Sequence, residues 1–362
     1  MDFVKLVPAS NTLANYLDLN ADVVATRGLR WAMGLMVKRA YDRGFVGCFC
    51  REGPDWARKI EAYEADRFRR ESGPNASLLD QIGSRLQDGS GKRSPPLALA
   101  TRFDPRALRG NQAYGNCTAA SLGWDAMNML NAIEVAIKEE PQRFGEPFAT
   151  ALIYGSRGHG GQGMALSTAA NTAARWGVSR RKLYCGRYDC REEDRDENYG
   201  NSWGDGGVPQ CLADECKADG VVTKVGSLPR LDGKMLKDLL YSGVMIHHGG
   251  TLTGTRSGDP LTRLTDVGPH AQTTLGYDDT DEAREHCSLP DDEFVVFQQQ
   301  TWGDYFSISR WRPDLWGDYV PGTWPLKASD ALWVVNQGGY GYYTLDGLKP
   351  SDLDWSDILE QG

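Results

Sequence analysis

Asn111-Gln-Ala-Tyr-Gly-Asn-Cys-Thr-Ala-Ala120 is the stretch on which the fold turns. Gly115-Asn116 reads as a turn that hands over to a helix at Cys117. From Cys117 to Glu139, Leu122, Ala126, Met129/Leu130, Ile133 and Ala136/Ile137 recur at helical spacing and form one apolar face. Asn116 is the expected N-cap. A thiol in the first turn stands at the positive end of the helix macrodipole, which favours thiolate and lowers its pKa. Nucleophilic catalysis needs that thiolate. Buried cysteines also open helices without doing chemistry, so Cys117 by itself leaves both readings standing.

Working outward, a second helix is expected over Ala165–Trp176, stopped by Gly177. Residues 185–220 read as loop, acidic and rich in cysteine. Strands are expected at Val244–His247, Ala271–Tyr277, Phe294–Gln298 and Ala331–Val335. Helices first and strands afterwards indicate an α+β domain with a helical lobe and an antiparallel β lobe. Towards the N-terminus the chain is polar and helical, with candidates at Leu29–Tyr41 and at Asp55–Arg70, the latter ended by Ser72-Gly73-Pro74. Asp88-Gly-Ser-Gly-Lys-Arg-Ser-Pro-Pro96 reads as a linker. Its Gly-Ser-Gly-Lys is no phosphate loop, because Leu86 stands where the leading glycine belongs and no apolar strand precedes it. The organisation expected is a helical arm over 1–94, a main domain over 95–345 and an acidic tail over 346–362.

Two further segments carry chemistry. His270 lies in Gly268-Pro-His-Ala-Gln-Thr-Thr-Leu-Gly-Tyr277, at the start of an expected strand and in position to face a helix end; a hydrogen-bonded structural histidine is its bland alternative. Gln300-Thr-Trp-Gly303 follows the strand Glu293–Phe297, where an amide can hold an imidazole in one tautomer. Taken in order, Asn111–Ala120, His270-Ala271 with Gly276-Tyr277, and Gln300-Thr-Trp-Gly resemble the cysteine turn, the His-Ala-x4-Gly-Tyr pattern and the Asn-Ser-Trp-Gly motif of the papain family of cysteine peptidases. Gly160-Gly161, between Tyr154 and Trp176-Gly-Val178, resembles the paired glycines on which that family lays substrate backbone. The matching segments run from about Phe103 to Phe306.

The resemblance implies a papain-like, two-lobed peptidase fold and a Cys-His-amide triad. Cys117 would be the nucleophile, His270 its proton partner and Gln300 the orienting amide. Gln112, or Asn111, would complete the oxyanion hole with the backbone N–H of Cys117, Gly160 and Gly161 would pair with an extended peptide, and Trp302 would shield the His–amide pair from water. The pattern is not reproduced in full. Gln300 replaces the family's asparagine, Gln112 sits five residues before the cysteine where six is usual, and Thr118 replaces an aromatic. Asn201-Ser-Trp-Gly204 spells the family motif literally, but it precedes His270 and follows a charged run, so order and context favour Gln300.

Composition sets the limits. The chain has 362 residues, with 40 Lys+Arg against 49 Asp+Glu. Residues 1–95 carry 15 against 12, a net of +3, leaving 25 against 37, a net of −12, for the remainder. An acidic body excludes nucleic acid as the expected partner, since phosphate binding needs a basic face. The longest apolar run, Trp31–Val37, is too short to span a membrane, and Met1–Leu6 lacks a basic region leading into an apolar one. Cytoplasmic synthesis is therefore expected, where thiols, metal sites or catalysis outrank a disulfide framework. Cys185-x4-Cys190 and Cys211-x4-Cys216 leave zinc, disulfides and thiols all open. No cofactor is expected. Adjacent His247 and His248 point to opposite strand faces and do not chelate together. Two functions follow: a peptidase acting on peptide or protein substrates, or a papain-fold scaffold within an assembly such as a phage particle, with the N-terminal arm as anchor to its partners.

Overall fold

Strand-forming stretches bounded by turns build one sheet, and amphipathic helices cover both of its faces. The computed structural model describes residues 77–82, 86–94, 112–130, 148–181, 184–191, 193–219, 223–251, 269–301 and 323–344. The chain divides into two compact units, Met1–Phe68 and Arg69–Gly362, and every described residue belongs to the second. The helices are α1 (Leu78–Ile82), α2 (Cys117–Ala120, continuing through a π-helical stretch Ser121–Ala126 to residue 130), α3 (Ala151–Gly155), α4 (Leu166–Trp176), α5 (Glu193–Trp203), α6 (Gln210–Asp219), α7 (Gly233–Tyr241), α8 (Asp281–His286) and α9 (Ala328–Val335).

Strands β1 (Tyr184–Cys185) and β2 (Tyr188–Asp189) form a small hairpin. The main sheet contains β3 (Thr223–Ser227), β4 (Met245–Thr251), β5 (Pro269–Asp278), β6 (Val295–Gln299), β7 (Thr323–Lys327) and β8 (Gly339–Thr344). Its order is β3-β8-β4-β5-β6-β7, antiparallel throughout. The molecule is thus a mixed helix and antiparallel-sheet structure. Leu275 is the extra residue of a bulge in β5, where the pairing with β6 steps from Thr274↔Gln298 to Gly276↔Phe297.

Strand alternation sends Met245, Leu275, Phe297 and Tyr342 to one face, against Leu122, Ala126 and Met127 of α2 and Ala169, Ala170 and Ala173 of α4. Ile246, Tyr277, Val296 and Leu326 face the other way, against α1, α7 and α9. A third cluster joins Leu152, Trp203, Leu212, Cys190 and Cys216.

Helix α4 matches its expected span, and Gly177 ends it at φ 78°, a conformation that glycine adopts without a Cβ penalty. Helices expected at Leu29–Tyr41 and Asp55–Arg70, and the acidic tail, lie outside the described residues. Three expectations give way. Ala331–Val335 belongs to helix α9 and not to a strand: Ala328, Ala331 and Val335 are buried at helical spacing, and a short apolar run does not declare its period. Residues 185–220 are not loop, because Tyr199 and Trp203, one helical turn apart, stack at 5.1 Å and meet Tyr188 edge-on.

The linker is the third. Ser94 Oγ accepts from Tyr277 N at 2.7 Å, Tyr277 Oη donates to Gly89 O at 2.8 Å, and Arg93 pairs with the fully buried Asp278 at 2.6 Å. A Cβ on Gly89 would stand 2.3 Å from the Tyr277 hydroxyl, so this approach requires glycine. Local composition signals a turn but not the partner that fixes it.

Of the readings left open for the four cysteines, the structure has one disulfide and two thiols. Cys185 is bonded to Cys211, and Cys190 and Cys216 are buried thiols, Cys216 donating to Gly177 O at 3.6 Å. Two thiols are too few for a tetrahedral zinc site, and no metal-binding cluster occurs among the described residues. The bond also departs from the expectation of reduced thiols. No helix among the described residues is long and apolar enough to cross a membrane.

Leu78 is wholly buried against the sheet, and its Cδ2 fills the space a side chain at Gly341 would need. Leu78→Ala is expected to lower unfolding free energy in urea by ~2–5 kcal/mol. A loss under ~1 kcal/mol, the value for an exposed position, would mean that this segment does not belong to the core.

Candidate functional site

Cys117 opens α2 and is half-buried, the expected position for an accessible thiol at a helix mouth. Asn116 does not cap the helix through its side chain. It is fully buried, and its Nδ2 donates to Glu197 Oε1 at 2.8 Å, an oxygen that also accepts from Ala113 N at 3.1 Å. The bond from Nδ2 to the carboxylate orients the amide so that Oδ1, the atom that would cap, meets no helix N–H and has no partner among the described residues. Glu197 on α5 therefore shapes the turn that presents Cys117.

The glycine loop packs against the same turn. Gly163 N donates to Gly115 O at 3.0 Å, Gly115 N donates to Gln162 Oε1 at 2.6 Å, and Thr118 Oγ1 donates to Met164 O at 2.9 Å. Gly160 and Gly161 are exposed within it, open to a ligand's backbone. Tyr154 lies close enough to Cys117 for thiolate charge to disfavour its own ionisation, although burial is the larger cause of its raised pKa.

Gln112 joins the turn to the far end of β6. Its backbone N donates to Thr301 O at 2.9 Å, and its Oε1 accepts from the Thr301 hydroxyl. Its Nε2 donates to Tyr114 O at 2.9 Å, so one amide proton is already engaged. Gln300, the residue before Thr301, is buried. Asn111 and Trp302 lie outside the described residues.

His270 is the second residue of β5, opposite Gly250 of β4. The strand meets α2 through Thr273, whose Oγ1 donates to Ser121 O at 2.8 Å. Alternation puts His270 on the face shared by Gln272 and Thr274 and not on that of Thr273. There it lies near His248, whose Nε2 is 3.0 Å from Thr274 Oγ1 and 3.4 Å from Gln298 Nε2. His247 points the other way. The Thr118 backbone raises its pKa slightly, yet neither ring nitrogen closes a hydrogen bond of ordinary geometry among the described residues. Hydrogen bonds thus bring together Cys117's turn, Gln112, the glycine loop and Thr301; β5 reaches α2 through Thr273, and His270 lies on the other face of that strand.

Sequence reading missed Arg157, whose buried guanidinium ties the glycine loop to α3 and α5. Its Nε donates to Gly161 O at 2.9 Å, Nη1 to Tyr154 O at 3.0 Å and Gly200 O at 2.8 Å, and Nη2 to Asn201 O at 2.7 Å. Its guanidinium carbon lies 4.0 Å from the Tyr154 ring centroid. Gly204 is obligatory here, since a Cβ would fall 2.1 Å from that carbon. The literal motif residue Asn201 serves this cluster: its Oδ1 accepts from Gln162 Nε2 at 3.2 Å. The available signal was an arginine two residues beyond a short apolar run, and it carries no motif.

No protein-family model and no curated protein matches the chain. Among solved structures, the chain is similar to digestive procathepsin L 3 of Tenebrio molitor larval midgut at 12% identity and a TM-score of 0.37, over 88% of this chain and 90% of that one. It is similar also to proCathepsin B S9 from Trypanosoma congolense at 11% identity and a TM-score of 0.38, over 77% and 87%.

Arg157→Lys keeps the charge but loses the planar fork. It is expected to cost ~2–4 kcal/mol of stability in urea, because a lysine ammonium cannot reach four carbonyls in that geometry. Equal stability of the two proteins would show that the network does not hold the loop. Burial also lowers the pKa values of His247 and His248 to about 3 and of His270 to about 4. Unfolded histidine titrates near 6.5, so the unfolded chain binds more protons below that pH and stability is lost as pH falls from ~6.5 towards ~4. In His248→Gln the slope of unfolding free energy between pH 6 and 4 is expected to drop by up to ~1.4 kcal/mol per pH unit. An unchanged slope would place His248 in water.

Proposed function

We propose that the chain is a papain-like thiol hydrolase of peptide bonds. The observation that carries this reading is the convergence, on the mouth of α2, of the half-buried Cys117, the exposed glycine loop and the chain leaving β6. Three of the four family-like motifs, the cysteine turn, the paired glycines and the segment after β6, belong to these places, and the fourth, around His270, belongs to β5. In the reaction, the Cys117 thiolate attacks the substrate carbonyl while His270 carries the proton. The tetrahedral oxyanion is stabilised by the Cys117 backbone N–H and the second Nε2 proton of Gln112. Collapse expels the amine, which takes the proton from His270, and leaves a thioester on Cys117. Water, deprotonated by His270, then releases the acid and restores the thiol. Gln300 orients the imidazole, and Gly160 and Gly161 pair with the extended substrate.

Burial keeps His270 neutral, its pKa lowered to about 4, so the proposed role requires the Cys117 thiolate to hold the proton on it. A second reading, a papain-fold scaffold without turnover, is favoured by one observation: the donation of Gln112 Nε2 to Tyr114 O, which takes up part of the oxyanion donor.

A peptidyl chloromethyl ketone, which alkylates an activated thiolate, separates the two. The wild type is expected to incorporate one equivalent, Cys117→Ala none, and His270→Ala to react ~100-fold more slowly. Equal incorporation by the wild type and Cys117→Ala would remove the hydrolase reading and leave the scaffold.

A further inference from the structure

Outside the thiol site, α4 and the turn after α5 line an open, solvent-facing pocket of about 420 Å³, within the ~300–1,000 Å³ of small-molecule sites. Its lining includes Ser156, Thr172, Asn171, Arg175, Trp176 and Asp205. The two hydroxyls are already satisfied: Ser156 Oγ and Thr172 Oγ1 are 2.6 Å apart, and Thr172 Oγ1 donates to Thr168 O at 2.9 Å. The amide and the two charges are different. Neither Asn171 nor Asp205 has a side-chain partner among the described residues, and the Arg175 guanidinium rests over the Trp176 ring, 5.4 Å from its centroid.

We propose that this cavity binds an α-amino-acid head group, with its ammonium at Asp205 and its carboxylate at Arg175. Opposite charges on one small cavity normally close on each other. These two form no ion pair, because Arg175 is held over an indole on α4 while Asp205 belongs to a separate turn. A ligand carrying one charge alone would meet one favourable and one repulsive wall. A zwitterion satisfies both, with the guanidinium taking its carboxylate in bidentate fashion and the Asn171 amide free to add a further bond. Trp176, half-buried, offers an apolar wall to whatever follows the head group.

The cavity adjoins the glycine loop, since a Cβ on Gly160 would come within 3.8 Å of Asp205 Cβ. The head group therefore arrives either as a free amino acid beside the substrate track or at the end of a substrate side chain. The binding claim does not depend on the thiol chemistry.

Calorimetric titration of the full chain carrying Cys117→Ala keeps the two questions apart. The probes are L-methionine, N-acetyl-L-methionine, L-methionine amide and N-acetyl-L-methionine amide, followed by an N-acetylated, C-amidated tripeptide whose central residue is 2,6-diaminopimelate. Binding of L-methionine at least ~10-fold tighter than of its three blocked forms supports a free ligand. Binding of the tripeptide without L-methionine supports a head group carried on a substrate. In either case Asp205→Asn and Arg175→Gln are each expected to weaken binding by ~10-fold or more. No binding of either probe, equal binding of all four methionine forms, or undiminished binding in both variants would overturn the proposal.

Discussion

The guanidinium of Arg157 is a buried cation with no carboxylate beside it among the described residues, and the helical part of the molecule is arranged to tolerate it. Its partners are carbonyls: Tyr154 O from the last turn of α3, Gly200 O and Asn201 O from the last turn of α5, and Gly161 O from the loop. Helix C-termini carry partial negative charge, so two of them converging on one cation supply the compensation that a carboxylate would otherwise give. This works only if α3 and α5 lie close and side by side. Gly200 permits that, as its missing Cβ would lie 3.1 Å from Ala151 Cα. At the other end of the same pair, the fully buried Asp196 accepts from Thr150 N at 2.6 Å, Thr150 Oγ1 at 2.8 Å and Ala151 N at 3.0 Å. Burial raises its pKa more than these bonds lower it, so the donors hold the group in place against a desolvation cost they do not fully offset. Acid at the N-termini and base at the C-termini fix the register of α3 against α5.

That register sets the geometry of the thiol turn. Glu197 follows Asp196, and one residue's rotation about α5 aims it at Asn116 and Ala113. Asn198 accepts from the Tyr114 hydroxyl, and Asn201 holds Gln162, which holds Gly115. Helix α5 therefore touches both the Cys117 turn and the glycine loop. A shift of α5 by one residue would move the glycine loop and the Cys117 turn together, which is how a distant helix preserves a short-range alignment.

How much of this was legible follows from the range of each signal. The mouth of α2, the span of α4 and the strands β4, β5 and β6 were readable, because hydrophobic period and glycine stops are local. Helix α5 was not. Its sequence, Glu193-Asp-Arg-Asp-Glu-Asn-Tyr-Gly-Asn-Ser-Trp203, is polar almost throughout, and its inward face consists of a carboxylate pair, a glycine and two aromatics. Periodicity of apolar residues cannot detect a helix whose buried face is charged. Asn201-Ser-Trp-Gly204 has structural uses of its own: the asparagine and glycine are needed there for Gln162 and Arg157, and Trp203 for the stack with Tyr199. A motif's letters can recur wherever a polar turn must follow a buried aromatic.

The sheet poses the complementary problem. His248, Thr274 and Gln298 lie buried on one face of adjacent strands, with His270 and Gln272 at its margin, in positions where strands of this kind carry valine or isoleucine. Burying such groups costs free energy unless they bond to one another, and the bonds from His248 to Thr274 and Gln298 meet only part of that demand, since His248 Nδ1 and Gln298 Oε1 find no partner among the described residues. A purely structural sheet would be more stable with apolar side chains in that row. Retaining imidazole beside imidazole there makes sense if their neutral state is used. A neutral ring can accept a proton when a charge appears next to it, and a low resting pKa ensures that it holds none beforehand. The row lies, however, on the strand face away from the one that meets α2, and its neutral rings follow from burial among polar neighbours that satisfy them only in part.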